Sequence, residues 1–176
     1  MQLDLTRYRQ ALDHVSKTFS PQEADCEGEA YRVVAPVELE FDIHKDKARF
    51  RLVGRTATVL ELSCSLCVEP YRMPVDVSFD LRYVPASEMA AEDDREVAEA
   101  DLETSYYRDD VIDLGELMRE QFYLALPMKP LCVEDCHGLC VQCGTNLNRG
   151  SCSCERDWVD PRLAALAKLK NNQREH

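Results

Sequence analysis

Positive charge is scarce in this chain. Its 176 residues carry 21 lysines and arginines against 33 aspartates and glutamates, a net charge of −12. A protein that grips nucleic acid mainly through phosphates needs a basic face. No lysine- or arginine-rich run supplies one, so direct RNA contact is not what the charge predicts. A basic protein partner fits better, because opposite fields attract and steer encounter. Long apolar runs are also missing; none approaches the ~20 residues that span a bilayer. The first residues, MQLDLTRYRQALDHV, are charged throughout and lack the apolar stretch of a secretory signal. These absences predict no membrane and a cytoplasmic location. There is one tryptophan, there are four scattered histidines, and phosphate-cradling GxxxxGK[ST] or GxGxxG patterns are absent. No Ser-His-Asp or Cys-His set is discernible. The reading is therefore of a protein that is not an enzyme and has no small-molecule substrate.

Cysteine is the residue present in excess. Eight of the nine fall in tight sets: Cys64 and Cys67, then Cys132, Cys136, Cys140, Cys143, Cys152 and Cys154. In a reducing compartment such sets favour metal over disulfides, and an odd total suits a disulfide framework poorly. Four thiolates make one closed tetrahedral zinc site, so eight divide into two sites, with Cys26 left over. The Cys140-Val-Gln-Cys143-Gly144 run reads as a knuckle turn, closed by Cys152 and Cys154. Cys132 and Cys136 are then free to join Cys64 and Cys67. An alternative pairs Cys132 and Cys136 with Cys152 and Cys154, or places His137 in a thiolate's position; spacing does not choose between them. Structural zinc, one or two ions, is the expected cofactor. An iron–sulfur cluster or a redox dithiol at Cys64 and Cys67 is the rival. Against the dithiol, that pair sits between strands with Glu61, Glu69 and Pro70 nearby, and not at a helix N-terminus that would activate a thiol. Lys129, Arg149, Arg156 and Arg162 could form a small basic patch beside the cysteines, the basis of a third reading as a zinc-ribbon nucleic-acid binder.

Hydrophobic residues make up 45% of the chain, enough for a real core. Tyr8, Leu12, Val15 and Phe19 recur at four-three-four spacing, which predicts a helix over 5–19. Residues 20–30 read as a loop. Val37, Leu39, Phe41 and Ile43 alternate with acidic residues and predict a strand with one wet face. A turn is expected at His44–Lys47, then a second strand from Phe50 to Leu62 with Gly54 as a bulge or bend. Met73 to Tyr83 alternates most cleanly, with Asp76, Ser78, Asp80 and Arg82 outward. The CSLCVEP segment thus falls at a hairpin tip. Residues 86–110 hold ten acidic residues and two arginines, which predicts a mobile loop. Asp113 followed by Glu116 marks a capping box, and Leu114, Leu117, Met118, Phe122 and Ala125 form one helix face ending at Pro127. Asp160-Pro161 opens a terminal helix over 161–169. Trp158 is expected to pack against the cysteine-rich unit. The expected fold is α+β: an antiparallel sheet or partial barrel packed with helices in 1–127, with a zinc-ribbon-like module and terminal helix in 128–176.

The order of these blocks resembles the YceD family, the large ribosomal RNA subunit accumulation proteins. A mid-chain CxxC (Cys64 to Cys67) precedes a strand and an acidic loop. Then come Ile112-Asp113-Leu114, Ala125-Leu126-Pro127, PLCVEDCHGLCVQCGTNLNRGSCSC and VDPRLAALAKL, so the similarity spans roughly residues 30–169. The resemblance implies a non-enzymatic role in accumulation of 23S ribosomal RNA and assembly of the large ribosomal subunit. Its implied partners are a basic ribosomal protein or a pre-ribosomal large-subunit particle.

Overall fold

The computed structural model describes residues 1–24, 28–89 and 104–154. Strands dominate it: β1 (Gln2–Asp4), β2 (Leu12–Phe19), β3 (Arg32–Val33), β4 (Val37–Asp46), β5 (Arg49–Ser63), β6 (Pro70–Pro85), β7 (Thr104–Tyr107) and β8 (Val111–Asp113). The helices are a one-turn α1 (Ala86–Met89), α2 (Leu114–Ala125) and a 3-10 turn at Leu5–Arg7. The main sheet runs β2-β4-β5-β6-β7, with β3 also on β5, and β1 pairs with β8 in a separate ribbon. All pairings are antiparallel except β6–β7, which is parallel. The sheet is open, with β2 and β7 at its ends, so no partial barrel forms. The architecture is mostly β, with α2 as its only helix longer than one turn among the described residues.

Alternation drives the long strands. In β4, Val37, Leu39, Phe41 and Ile43 are each 1% exposed or less, while Glu38, Glu40 and His44 face solvent. Leu52, Leu60 and Leu62 of β5 and Val75, Phe79 and Tyr83 of β6 point to the same core. Leu114, Leu117, Met118 and Phe122 of α2 close it, joined by Leu3, Leu5 and Ile112. The helix packs on β6. Half of the expected capping box forms: the Asp113 carboxylate accepts from the Gly115 amide at 2.8 Å and the Glu116 amide at 3.3 Å, while the Glu116 carboxylate makes no return bond among the described residues.

Four expectations are corrected. Residues 5–19 are not helical: a 3-10 turn leads into β2, which pairs with β4 over eight successive positions. Only Val15 of the supposed apolar face of β2 is fully buried, and Leu12 is 54% exposed. An edge ladder satisfies the backbone here, and Val15, Thr18 and Phe19 suit a strand. Gly54 makes no bulge, because β5 keeps one register with β4 and with β6 throughout. A Cβ at Gly54 would overlap Phe41 and the Glu40 carbonyl, so the glycine permits close approach of β4. The β4–β5 turn is shorter than expected: β4 continues through Asp46, and Lys47 takes φ 57°. Within 86–110, the described ends are ordered elements, α1 and β7. A tight turn at Asp109 (φ 53°) and Asp110 (φ 56°) then leads into β8. The rest of that acidic stretch, the 161–169 helix, Cys26, Trp158, Arg156 and Arg162 lie outside the described residues.

Candidate metal centres

The β5–β6 hairpin puts Cys64 and Cys67 at its tip, as the alternation predicts. Cys64 N donates to Glu69 O at 2.9 Å and Val68 N to Cys64 O at 2.9 Å. The second CxxC repeats this pattern at the same offsets. Cys140 N donates to Thr145 O at 2.8 Å and Gly144 N to Cys140 O at 2.9 Å. The residue after each pair is left-handed: Val68 at φ 62°, Gly144 at φ 72°. The two segments are thus the same turn built twice, one with the expected glycine and one with valine.

The turns gather the thiols into two groups. Cys64, Cys67, Cys132 and Cys136 form one, and Cys140, Cys143, Cys152 and Cys154 the other; within each, all Sγ atoms lie within 4.8 Å of one another. The alternative pairing of Cys132 and Cys136 with Cys152 and Cys154 does not occur. His137 stays exposed and outside both groups. None of these eight cysteines is in a disulfide. Cys64 and Cys136 sulfurs are 3.7 Å apart, and those of Cys67 and Cys132 are 3.6 Å apart. Four sulfurs around one ion at a bond length of about 2.3 Å would sit about 3.8 Å apart, so the first group has the dimensions of a single-ion site.

The first group joins distant parts of the chain. Residues 130–139 lie along the hairpin tip: Ser65 N and Oγ both donate to Pro130 O, at 2.8 and 3.0 Å, and Leu139 N donates to Leu66 O at 3.1 Å. Gly138, at φ 72°, lets the chain pass close to the Leu66 carbonyl. Leu66, Tyr71, Leu131 and Leu139 pack around Cys64, Cys67 and Cys136 in a small core separate from the main one. Arg149 pairs with Glu69 at 2.9 Å across this junction. That contact engages one member of the expected basic patch; Lys129 is exposed. The second group is local, contained in residues 140–154, and more open, with Cys143 exposed.

Backbone amides tune the thiols. The Cys67 amide above all, then those of Leu66 and Cys132, hold Cys64 down to about 6 against the opposing effect of burial. In the second group the Thr145 hydroxyl and amide bring Cys143 to about 6, and the Cys143 and Gln142 amides lower Cys140. Their neighbours move the other way. Burial and the adjacent sulfurs push Cys132 up to about 12, and Cys143 with burial does the same to Cys154. Four sulfurs this close cannot all ionise unaided; a dication between them would let them do so. Both groups can therefore hold a metal ion, and both are closed, since four thiolates leave no position for substrate.

Sequence reasoning missed three supporting residues. Asn148 donates from Nδ2 to Cys136 Sγ at 3.3 Å and accepts from the His137 amide at 2.8 Å. Asn146 Oδ1 accepts from the Asn148 amide at 2.9 Å and holds it in place. Thr145 Oγ1 lies 3.1 Å from Cys143 Sγ. Asparagines two apart in a short loop between cysteine pairs were the available signal, since such side chains bond neighbouring backbone.

These features define a class: a small, mostly β protein with a cysteine-rich extension clasped to one hairpin tip by a four-thiol centre. The family model for the large ribosomal RNA subunit accumulation protein YceD matches residues 52–170, about two thirds of the sequence. The chain belongs to this family. It is 27% identical over 161 residues to "Large ribosomal RNA subunit accumulation protein YCED homolog 1, chloroplastic" of Arabidopsis thaliana, covering 80% of this chain and 50% of that protein. The Zea mays protein of the same name is 28% identical over 151 residues, 68% of this chain and 49% of its own length. An uncharacterized protein of Mycobacterium tuberculosis is 28% identical over 137 residues, 77% of this chain and 62% of its own. The chain spans about half the length of these plant relatives. No solved structure matches. Among the described residues no helix is long and apolar enough to cross a membrane.

Proposed function

We propose that this protein is a non-enzymatic factor of ribosome biogenesis that supports 23S ribosomal RNA accumulation and large-subunit assembly. It acts in the cytoplasm by binding a basic ribosomal protein or a pre-ribosomal particle. Membership of the YceD family carries the reading, and the net charge of −12 favours a basic partner. Zinc is the proposed ion at both four-cysteine groups, bound to Cys64, Cys67, Cys132 and Cys136 and to Cys140, Cys143, Cys152 and Cys154. An ion in the first group would hold the cysteine-rich segment to the β5–β6 hairpin, one in the second would brace residues 140–154, and neither would have an open coordination position. The close sulfur spacing favours a single ion over a multi-iron cluster, whose inorganic core separates its thiolates. The redox alternative at Cys64 and Cys67 is disfavoured because that pair sits against Cys132 and Cys136 and does not stand as an isolated dithiol.

Affinity capture of the tagged full chain from cells at moderate salt tests the role. Large-subunit ribosomal proteins or precursor 23S RNA should be enriched over a tag-only control. Recovery of neither would overturn the reading. Elemental analysis of chelator-free protein tests the ion, with two zinc per chain expected; iron, or no metal with reversible disulfides, would refute it.

A further inference from the structure

The loop that joins Cys143 to Cys152 belongs by sequence to the second cysteine group, yet one of its side chains serves the first. Asn148 lies in that loop and reaches back to Cys136. Its Oδ1 accepts from the His137 amide at 2.8 Å, and its Nδ2 donates to Cys136 Sγ at 3.3 Å and to Asn146 Oδ1 at 3.0 Å. These contacts fix which end of the amide faces the sulfur. The reverse orientation would set an oxygen against Cys136 and a donor against the His137 N–H.

Asn146 holds that arrangement at a cost. Its Oδ1 accepts from the Asn148 amide at 2.9 Å and from Asn148 Nδ2, and its own Nδ2 is left buried with no hydrogen-bond partner among the described residues. A buried donor left unmet is unfavourable, and here it belongs to the residue that aims Asn148. Backbone bonds hold the same strip. Leu147 N donates to Gly138 O at 2.9 Å, Cys140 N donates to Thr145 O at 2.8 Å, and Asn146 bridges Leu139. Leu139 N in turn donates to Leu66 O at the hairpin tip. The two groups thus share one hydrogen-bonded strip, and Asn148 carries a contact from the second group's loop to a sulfur of the first. An N–H donor on a metal thiolate takes up part of the sulfur's charge and fixes its direction. An ion in the second group would fix Cys143 and Cys152, the two ends of that loop. It would thereby lower the entropy cost of placing Asn148 on Cys136.

We propose that Asn148 is a positioning residue that couples the two cysteine groups, so that an ion in the second strengthens ion binding in the first. The inference rests on the zinc reading above. It is tested on the full chain by zinc competition against a chromogenic chelator and by cadmium NMR of the cadmium-loaded protein, with one resonance per centre. Asn148→Asp keeps an oxygen for the His137 amide but sets a carboxylate against the sulfur. It should weaken zinc binding in the first group about tenfold and move that centre's cadmium resonance. Arg149→Gln removes the neighbouring contact with Glu69 across the same junction and should change the affinity less than about twofold. Cys143→Ser should weaken the first group about fivefold in the parent and make no further difference beside Asn148→Asp. Zinc affinity and cadmium signal unchanged in Asn148→Asp, or a Cys143→Ser effect of equal size in both backgrounds, would overturn the coupling and leave two zinc per chain standing. A parent chain that binds no ion would sink the zinc reading and the coupling with it.

Discussion

Two residues in this fold carry a conformational or polar cost that another side chain would remove. Val68 occupies a left-handed position that the equivalent turn fills with Gly144, and a β-branched residue is poorly suited to it. Its side chain is 64% exposed and recovers little by packing. Val68→Gly should therefore raise stability by about 1 kcal/mol, visible as a higher urea midpoint at unchanged slope. Thr56 is fully buried in β5 and its Oγ1 has no hydrogen-bond partner. Thr56→Val keeps the shape and removes the unmet hydroxyl, so the same assay should show a gain on the order of 1 kcal/mol. A loss in either variant would show that the side chain makes a contribution the contacts do not reveal. Sequence pattern could expose neither position. Valine after a CxxC pair and threonine in a strand are both ordinary until the φ angle and the neighbours are seen.

At the scale of elements, α2 rests on its cap. Burial alone would raise the Asp113 carboxyl, but the Gly115 and Glu116 amides and the Met1 amine outweigh it and lower the value. A carboxyl lowered in the fold stabilises above its unfolded value, near 3.9, and that contribution is lost as pH falls through the folded value. Asp113→Ala should cost about 1 kcal/mol at neutral pH. The gap between variant and parent should close in an acid titration below about pH 4. A constant gap down to pH 2 would mean that the carboxylate's charge is not what caps the helix. This cap, α2 and strands β4 to β6 were legible in the residues, because a cap pattern and strict alternation each have one structural interpretation. The segment 5–19 was not. Tyr8, Leu12, Val15 and Phe19 meet the spacing of a helix face by coincidence, and the eight-position ladder with β4 that decides the matter is a long-range pairing invisible to local periodicity. The grouping of the eight thiols was half legible: spacing singled out the eight cysteines and offered the observed division, but choosing it over the alternative needed the hairpin tip and residues 130–139 in contact.

For the whole molecule, the two cysteine groups carry different responsibilities. Cys64→Ser removes a thiol from the group that ties residues 132 and 136 to the hairpin. It should free the 128–154 segment to rapid limited proteolysis while the far-UV signal of the sheet persists. Cys143→Ser disturbs only the contained group and should sensitise 140–154 while leaving the 130–139 contacts protected. Equal cleavage in both variants would contradict this division. A strong chelator applied to the parent should reproduce first the Cys143→Ser pattern, since that group is the more exposed.

The same asymmetry has a consequence in time. The thiols of the first group are drawn from positions 65 and 72 residues apart along the chain, whereas those of the second fall within residues 140–154. Loop-closure entropy grows with the logarithm of the span, so gathering the first set costs an unfolded chain about 2 kcal/mol more than gathering the second. A nascent or refolding molecule offered a scarce ion would seat it in the short-span group first. The long-span clasp would shut afterwards, once the β5–β6 hairpin had formed to receive it, so that joining the chain's middle to its cysteine-rich segment would come last.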